Sequence, residues 1–419
     1  MTDADRGQTV ARSGHGNVIR SLCLDDRNAV VRELQRIGVD PTGIAVMADK
    51  ALHQTILVPQ VRPAAANILK QEMLALGGDA AVTRGTISCT VPETDVLLMG
   101  TIKQLKKLCD KLKAQPFGLS TIGSTLALLL SSDTVPPYWQ TARRRLTLTR
   151  PLVMGILNLT PDSFSDGGRY TDRDAALAHA EAMVAAGADL LDIGAESTRP
   201  GAFVVDAAEE ISRVEPIVRL LASRLSTPLS VDTWKSTVAT AALDAGAEII
   251  NDISGATFDA DMPRLIAQRQ AGVVLMHTRG TPDNLHPPCQ YQDLMAEVSD
   301  ELSQAAKQVI DAGASPAQIV LDPGIGLPKD VTQNLTLLRR LPEFQSLGYP
   351  LLVGTSRKSF IGKILNQPDP ADRLFGTAAT VAWSVMQGAH IIRVHDVAAM
   401  AAVVQMTTAL TAPVPPEVP

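Results

Sequence analysis

In the downstream part of this 419-residue chain, short apolar runs keep ending in a polar or charged side chain. Asn158, Glu196 with Thr198 and Arg199, Asp232, Asn251, His277, Asp322, Ser356 with Arg357 and Lys358, and Arg393 with His395 all stand in this position. Singly, each has a bland explanation as a cap or turn residue; Asp232, directly before Thr-Trp-Lys, is well placed to cap a helix. Together they read as the lining of a ligand cavity. Asp232, Asn251 and Asp322 supply acceptors and one amide, a set suited to a planar heterocycle with ring N–H and amino groups. A carboxylate facing two parallel N–H donors fixes both affinity and orientation. Lys358 offers a donor to a ring carbonyl or nitrogen. Ile156, Ile253 and Met276 either line an apolar slot beside these groups or simply pack the core.

Arg393 and His395 sit two apart around Val394, the spacing that puts both on one side of a strand. Such a pair at the end of a last strand suits phosphate. Asn158 is open to two readings. It is a turn residue before Thr160-Pro161, or a neutral oxygen for Mg2+, which takes few protein oxygens and completes its shell with water and phosphate. No His/Cys spacing suggests a transition metal. The segments TPDSFSDGG (160–168) and ESTRPGA (196–202) are longer than a minimal turn and rich in Gly, Pro and Ser, and are expected to act as lids.

A repeating unit must hold these groups in place. The runs VMGILN (153–158), DLLDIG (189–194), PLSVDT (228–233), EIINDI (248–253), GVVLMH (272–277), QIVLDP (318–323), PLLVGT (350–355) and HIIRVHD (390–396) alternate with stretches of helical apolar spacing. Several of those stretches end in Ala-Gly-Ala, a helix stop followed by a short turn. Eight strand–helix units in roughly 260 residues predict a closed (β/α)8 TIM barrel, whose working residues lie at the C-terminal ends of its strands. No Gly-rich dinucleotide loop follows the first run, as an open doubly wound sheet would favour.

Residues 17–130 read as a separate small α/β domain of about four strands and two or three helices. QTILVPQV and TDVLLMGT look like strands there, and AAANILKQEMLALGG and IKQLKKLCDKLKAQ like helices. Lys103, Lys106, Lys107, Lys111 and Lys113 form a solvated helix face or, as the lesser reading, a phosphate or partner site. Residues 131–145 (SSDTVPPYWQTARRR) are expected to be a linker and 146–410 the barrel, with tails at 1–16 and 411–419.

Bulk properties narrow the function. A composition of 45% apolar and 3% aromatic residues indicates a globular protein with an aliphatic core. A net charge of −6 argues against a nucleic-acid or anionic-membrane surface while leaving room for a local basic pocket. No apolar run is long enough to span a bilayer and the first residues lack a signal-peptide pattern, so a soluble cytoplasmic protein is expected. Cys23, Cys89, Cys109 and Cys289 are scattered without a CxxC pair, which suits a reducing compartment.

The segments MGILNLTPDSFSDGG (154–168), DIGAESTRPGA (192–202), SVDT (230–233), INDISG (250–255), LMHTRGTP (275–282), DPGIG (322–326), TSRKSFIG (355–362) and RVHDV (393–397) occur in the order and spacing of dihydropteroate synthase, which residues 140–410 resemble. The resemblance implies a transferase that joins 6-hydroxymethyl-7,8-dihydropterin pyrophosphate to p-aminobenzoate, giving 7,8-dihydropteroate and pyrophosphate in folate biosynthesis. It implies that Asp232, Asn251, Asp322 and Lys358 bind the pterin, with Ile156, Ile253 and Met276 packed around it. Asn158 would hold Mg2+ on the pyrophosphate, beside Thr198, Arg393 and His395. Phe164, Thr198, Pro200, Lys358 and Ser359 would surround p-aminobenzoate, with Arg199 also binding substrate. Lys358, Arg393, His395 and Asp232 would carry catalysis. Pyrophosphate would leave first, and the aryl amine would attack the cation left at the pterin methylene. A homodimer through barrel helices and sensitivity to sulfonamides are implied as well.

The sequence departs from the family at GLPKD (326–330), where many relatives carry Phe-Gly in place of Leu327-Pro328. An aromatic wall beside the pterin is therefore expected to be missing or supplied elsewhere. Two rival readings are a pterin-binding methyltransferase and a non-catalytic pterin binder. DSFSDGG, STRPGA and RVHDV argue against the first, and Asn158, Arg393 and His395 argue against the second.

Overall fold

The structure, a computed structural model, describes residues 18–131, 135–159, 169–196, 204–287 and 289–412. It divides into two units, Met1–Ser132 and Asp133–Pro419.

In the first unit the described elements are α1 (Arg27–Ile37), α2 (Pro41–Ala51), β1 (His53–Val61), α3 (Pro63–Ala75), β2 (Asp79–Val82), β3 (Thr94–Thr101), α4 (Ile102–Leu112) and α5 (Leu119–Leu129). The strands form an antiparallel sheet in the order β1-β3-β2. Helix α4 shows how the local sequence decides. Thr101 and Gln104 close a capping box at its start, and Leu105, Leu108, Cys109 and Leu112 bury one face. Its lysines lie on the other, where Lys106 pairs with Asp49 at 2.8 Å and Lys111 with Glu72 at 2.5 Å, as a solvated face would. The expected four strands and two or three helices are corrected to three strands and five helices among the described residues. The extra helices escape periodicity: α1 and α2 bury only Val30 and Ala48 respectively, and owe their starts to Asp26 and Asp40, whose carboxylates accept main-chain N–H groups.

The second unit opens with a hairpin of β4 (Tyr138–Gln140) and β5 (Arg145–Thr147). Then follow β6 (Leu152–Asn158), α6 (Arg169–Ala185), β7 (Leu190–Gly194), α7 (Ala207–Arg224), β8 (Leu229–Asp232), α8 (Ser236–Ala245), β9 (Ile249–Asp252), α9 (Met262–Arg269), β10 (Gly272–Met276), α10 (Leu294–Asp311), β11 (Ile319–Asp322), α11 (Val331–Arg339), β12 (Leu352–Val353), α12 (Ser359–Leu365), α13 (Leu374–Met386), β13 (Ile391–Val394) and α14 (Val397–Thr411). The eight strands β6–β13 run parallel in the order β11-β10-β9-β8-β7-β6-β13-β12. A parallel bridge between Leu321 and Leu351, with Leu321 N–H donating to Pro350 O at 2.9 Å, closes the ring. The (β/α)8 barrel is therefore observed, each strand falling on one of the apolar runs.

Within the expected linker of 131–145, residues 138–145 belong to the barrel unit. Trp139 is fully buried among Leu152, Met154, Leu190, Ile249, Val274, Val320, Leu352 and Ile391, the inward residues where the strands begin. Its indole N–H donates to Gln318 O at 2.8 Å. Beside it, buried Glu248 accepts from Thr141 Oγ1 at 2.7 Å and from Nε and Nη2 of Arg144 at 3.1 and 2.6 Å. The hairpin plugs the N-terminal end of the barrel. Among the described residues no helix is long and apolar enough to cross a membrane.

Candidate active site

At the opposite end, register alone assembles a tier. Asn158 pairs with Gly194, Gly194 with Asp232, and Asp232 with Asn251, so β6, β7, β8 and β9 contribute neighbouring positions. Gly194 leaves a gap in that tier: a Cβ there would lie 3.5 Å from Asp232 Cβ and 3.9 Å from Asn158 Oδ1. Arg393 reaches in from β13, across β6. Its Nε donates to Asp192 Oδ2 at 2.6 Å and its Nη2 to Asp232 Oδ2 at 2.7 Å. Asn251 Nδ2 donates to the same Asp192 oxygen at 2.9 Å. The other Asp192 oxygen is buried and takes no hydrogen bond among the described residues.

Lys358 comes from the TSRKS turn after β12. Arg357 there adopts a left-handed φ of 58°, a conformation that needs outside support in a non-glycine residue. Support comes from Thr377 Oγ1, which accepts Arg357 N–H at 3.0 Å, and from Asp396, which pairs with the guanidinium at 2.9 and 2.5 Å. Lys358 Nζ donates to Ile325 O. Gly326, at φ +87°, lies under the lysine chain, and a Cβ there would sit 2.7 Å from Lys358 Cδ.

Burial pushes the Asp232 carboxyl up to about 7, against the opposing pull of Arg393 and with reinforcement from Asp192. Asp322 is also pushed up by burial, opposed by Lys358 and by the Gly324 N–H that it accepts at 2.7 Å. Burial drives Lys358 down to about 8, with Asp322 resisting. Asp192 and Asp232 outweigh the desolvation of Arg393 and hold it charged. Lys358 and Arg393 each feel the charge of both Asp232 and Asp322, so the four converge on one well.

The apolar side of the well is a cluster of Ile253, Met276 and Leu327, with Trp234 and Leu285 against it. Leu327 thus occupies the wall where an aromatic was expected to be missing, and the Trp234 ring joins it, edge-on to Phe258 at 5.7 Å. Ile156 is buried on β6. His395 lies one residue past β13 rather than on it: its N–H donates to Ser356 Oγ at 3.1 Å, and Nδ1 lies 2.9 Å from the same hydroxyl. Ser359 is exposed at the first position of α12. Glu196 is engaged by Lys235, which also reaches buried Glu210 at 2.6 Å. Phe164, Thr198, Arg199 and Pro200, with most of both expected lids, lie outside the described residues.

Two residues of this region are not singled out by the sequence reading. Asp192 lies inside the run DLLDIG, and its signal was a carboxylate at an inward strand position. Lys329, in GLPKD, is half-buried with Nζ against His277 Nδ1 at 3.0 Å, and desolvation pushes it down to about 7.

A parallel barrel whose strand ends present buried acids, an amide, a lysine and an arginine above an apolar slot defines a heterocycle-binding enzyme. Residues 154–395 match the model of the pterin binding enzyme family. The chain is 50% identical over 261 residues to dihydropteroate synthase of Synechocystis sp., covering 62% of this chain and 90% of that protein. The solved dihydropteroate synthase of Xanthomonas albilineans with 4-aminobenzoic acid is 42% identical, with a TM-score of 0.63 over 67% of this chain and 99% of that one. A probable bifunctional folylpolyglutamate synthase/dihydropteroate synthase of Halobacterium salinarum is 39% identical over 380 residues, 90% of this chain and 45% of that protein. The chain belongs to the dihydropteroate synthase family, and its activity is that of a transferase forming dihydropteroate.

Proposed function

We propose that the polar tier divides the reaction into a grip and a leaving-group clamp. Asp232, Asn251, Asp322 and Lys358 hold the pterin ring, with Ile253, Met276 and Leu327 along its apolar face. Arg393 and His395 hold the pyrophosphate and stabilise the negative charge that grows as it departs. The p-aminobenzoate amine then attacks the methylene cation, with Phe164, Thr198, Arg199, Pro200 and Ser359 around the aryl acid. The observation that carries this reading is Arg393 bridging Asp192 and Asp232, which puts a fixed cation beside the ring-binding acids.

Asn158 fits a Mg2+ ion that arrives with the diphosphate. It offers one neutral oxygen at the tier's edge, and among the described residues no group of three or more His, Cys, Asp or Glu forms a resident cage. Bound there, Mg2+ would spread the charge of the leaving group. A homodimer is supported by the outer face of α13 and α14, which exposes Phe375, Trp383, Met386, Met406 and Leu410. Sulfonamides would compete at the aryl-acid site. A cytoplasmic location accords with four free cysteines.

The test is to mix pterin pyrophosphate, p-aminobenzoate and Mg2+ with the full chain and to follow pyrophosphate and dihydropteroate together. Equal release of both is expected; pyrophosphate without dihydropteroate would overturn the assignment of the two sites.

A further inference from the structure

We infer that Lys329 is a positioning residue of the pterin pocket: its buried ammonium ties the β11–α11 loop to the end of β10 and so sets Lys358 and Leu327 against Asp322. This rests on the assignment of Asp322 and Lys358 to the pterin. Lys329 Nζ donates to Leu327 O at 2.7 Å, Gly324 O at 3.0 Å and His277 Nδ1 at 3.0 Å, and lies 3.4 Å from His277 O. Three ammonium protons thus meet four acceptors, three of them carbonyls turned inward, much as a loop wraps a small cation.

Each loop residue held this way touches the pocket. Gly324 donates its N–H to Asp322. Ile325, next along, gives its carbonyl to Lys358. Leu327 packs with Ile253 and Met276. The approach to β10 is close: Gly324 has a φ of +69°, and a Cβ there would come within 2.1 Å of His277 O. The staple also has a firm far end. His277 Nε2 lies 2.9 Å from Glu301 Oε2. Glu301 is in turn held by Arg279 at 3.0 and 2.5 Å.

A second tether is independent of Lys329. Asn334 on α11 accepts Gly326 N–H at 2.6 Å and donates to Lys329 O and Asp330 O at 3.0 and 2.8 Å. Loss of the ammonium therefore frees the loop from β10 while α11 still holds it. The carbonyl that orients Lys358 shifts, and the loop stays folded.

The experiment measures the affinity of the full chain for pterin pyrophosphate by calorimetry, alongside thermal unfolding. Lys329→Met is expected to weaken pterin by about 10- to 100-fold, the range typical of residues that orient a ligand-binding group. The double variant Lys329→Met/His277→Leu, which also removes one of the four stranded acceptors, should regain part of the melting temperature and not affinity. If affinity returns with stability, Lys329 is a stabilising residue only and the inference falls. Should Lys329→Met fail to fold, Lys329→Gln keeps two donors on a shorter arm and must still show weakened pterin binding; wild-type affinity would overturn the idea. Asp322→Asn separates the premises. If Asp322→Asn weakens pterin and Lys329→Met does not, the staple is wrong; if neither does, the pocket assignment itself is wrong.

Discussion

The two ends of the barrel are made from the same strands, and a step of two residues turns one into the other. Leu190 leads to Asp192, Ile249 to Asn251, Val274 to Met276, Val320 to Asp322 and Ile391 to Arg393. Side chains two apart point the same way about 6.6 Å further along the strand, so these pairs are stacked layers of one interior. The lower layer is closed by Trp139, packed against aliphatic side chains from the strands. The upper one holds charges whose burial moves Asp232, Asp322 and Lys358 away from their ordinary values. The lower layer stabilises the ring; the upper one spends part of that stability on buried charge.

That contrast can be broken from below first. Trp139→Ala should lower unfolding stability by about 3–5 kcal/mol through lost burial and the cavity left behind. Turnover, measured well below the melting temperature, should stay near wild type; a matching loss of activity would show that the two layers are not separable. Arg393→Ala attacks the upper layer. It should lower kcat on the order of 10²- to 10³-fold, as loss of a charge-stabilising donor does. Pterin affinity should fall less, and equal losses in both would count against a leaving-group role.

The smallest effect is in pH. In the free protein Asp232 keeps its proton up to about 7, while an unfolded chain releases it near 3.8, so its contribution to stability falls as pH rises between those values. Pterin N–H groups require the ionised form. Affinity should therefore rise about tenfold per pH unit below 7, with proton release on binding, and decline above about 8 as Lys358 loses its proton. A flat calorimetric profile from pH 5.5 to 7 would show that burial does not hold the Asp232 proton in the free pocket.

How far the sequence was readable follows from the same layering. The runs around 153–158 or 318–323 are apolar on both sides because helices cover one face and the interior the other, so their positions stand out. Asn251, Asp322 and Arg393 are legible because each breaks or ends such a run. Asp192 was not, since a single acid within DLLDIG reads as part of the strand. Lys329 hid in a loop noticed for its Leu327-Pro328. The hairpin was illegible for another reason: its two strands have three residues each and only Trp139 is fully buried, too little for any period. Parity correctly set His395 two beyond Arg393, while strand pairing stops at Val394 and a serine takes over its placement.

The plug also makes the barrel self-closing at its base. Trp139, Thr141 and Arg144, all downstream of the boundary at Asp133, shut the base of the ring. The 261-residue Synechocystis match spans 90% of that relative, whereas the 380-residue match in Halobacterium salinarum reaches into the first unit.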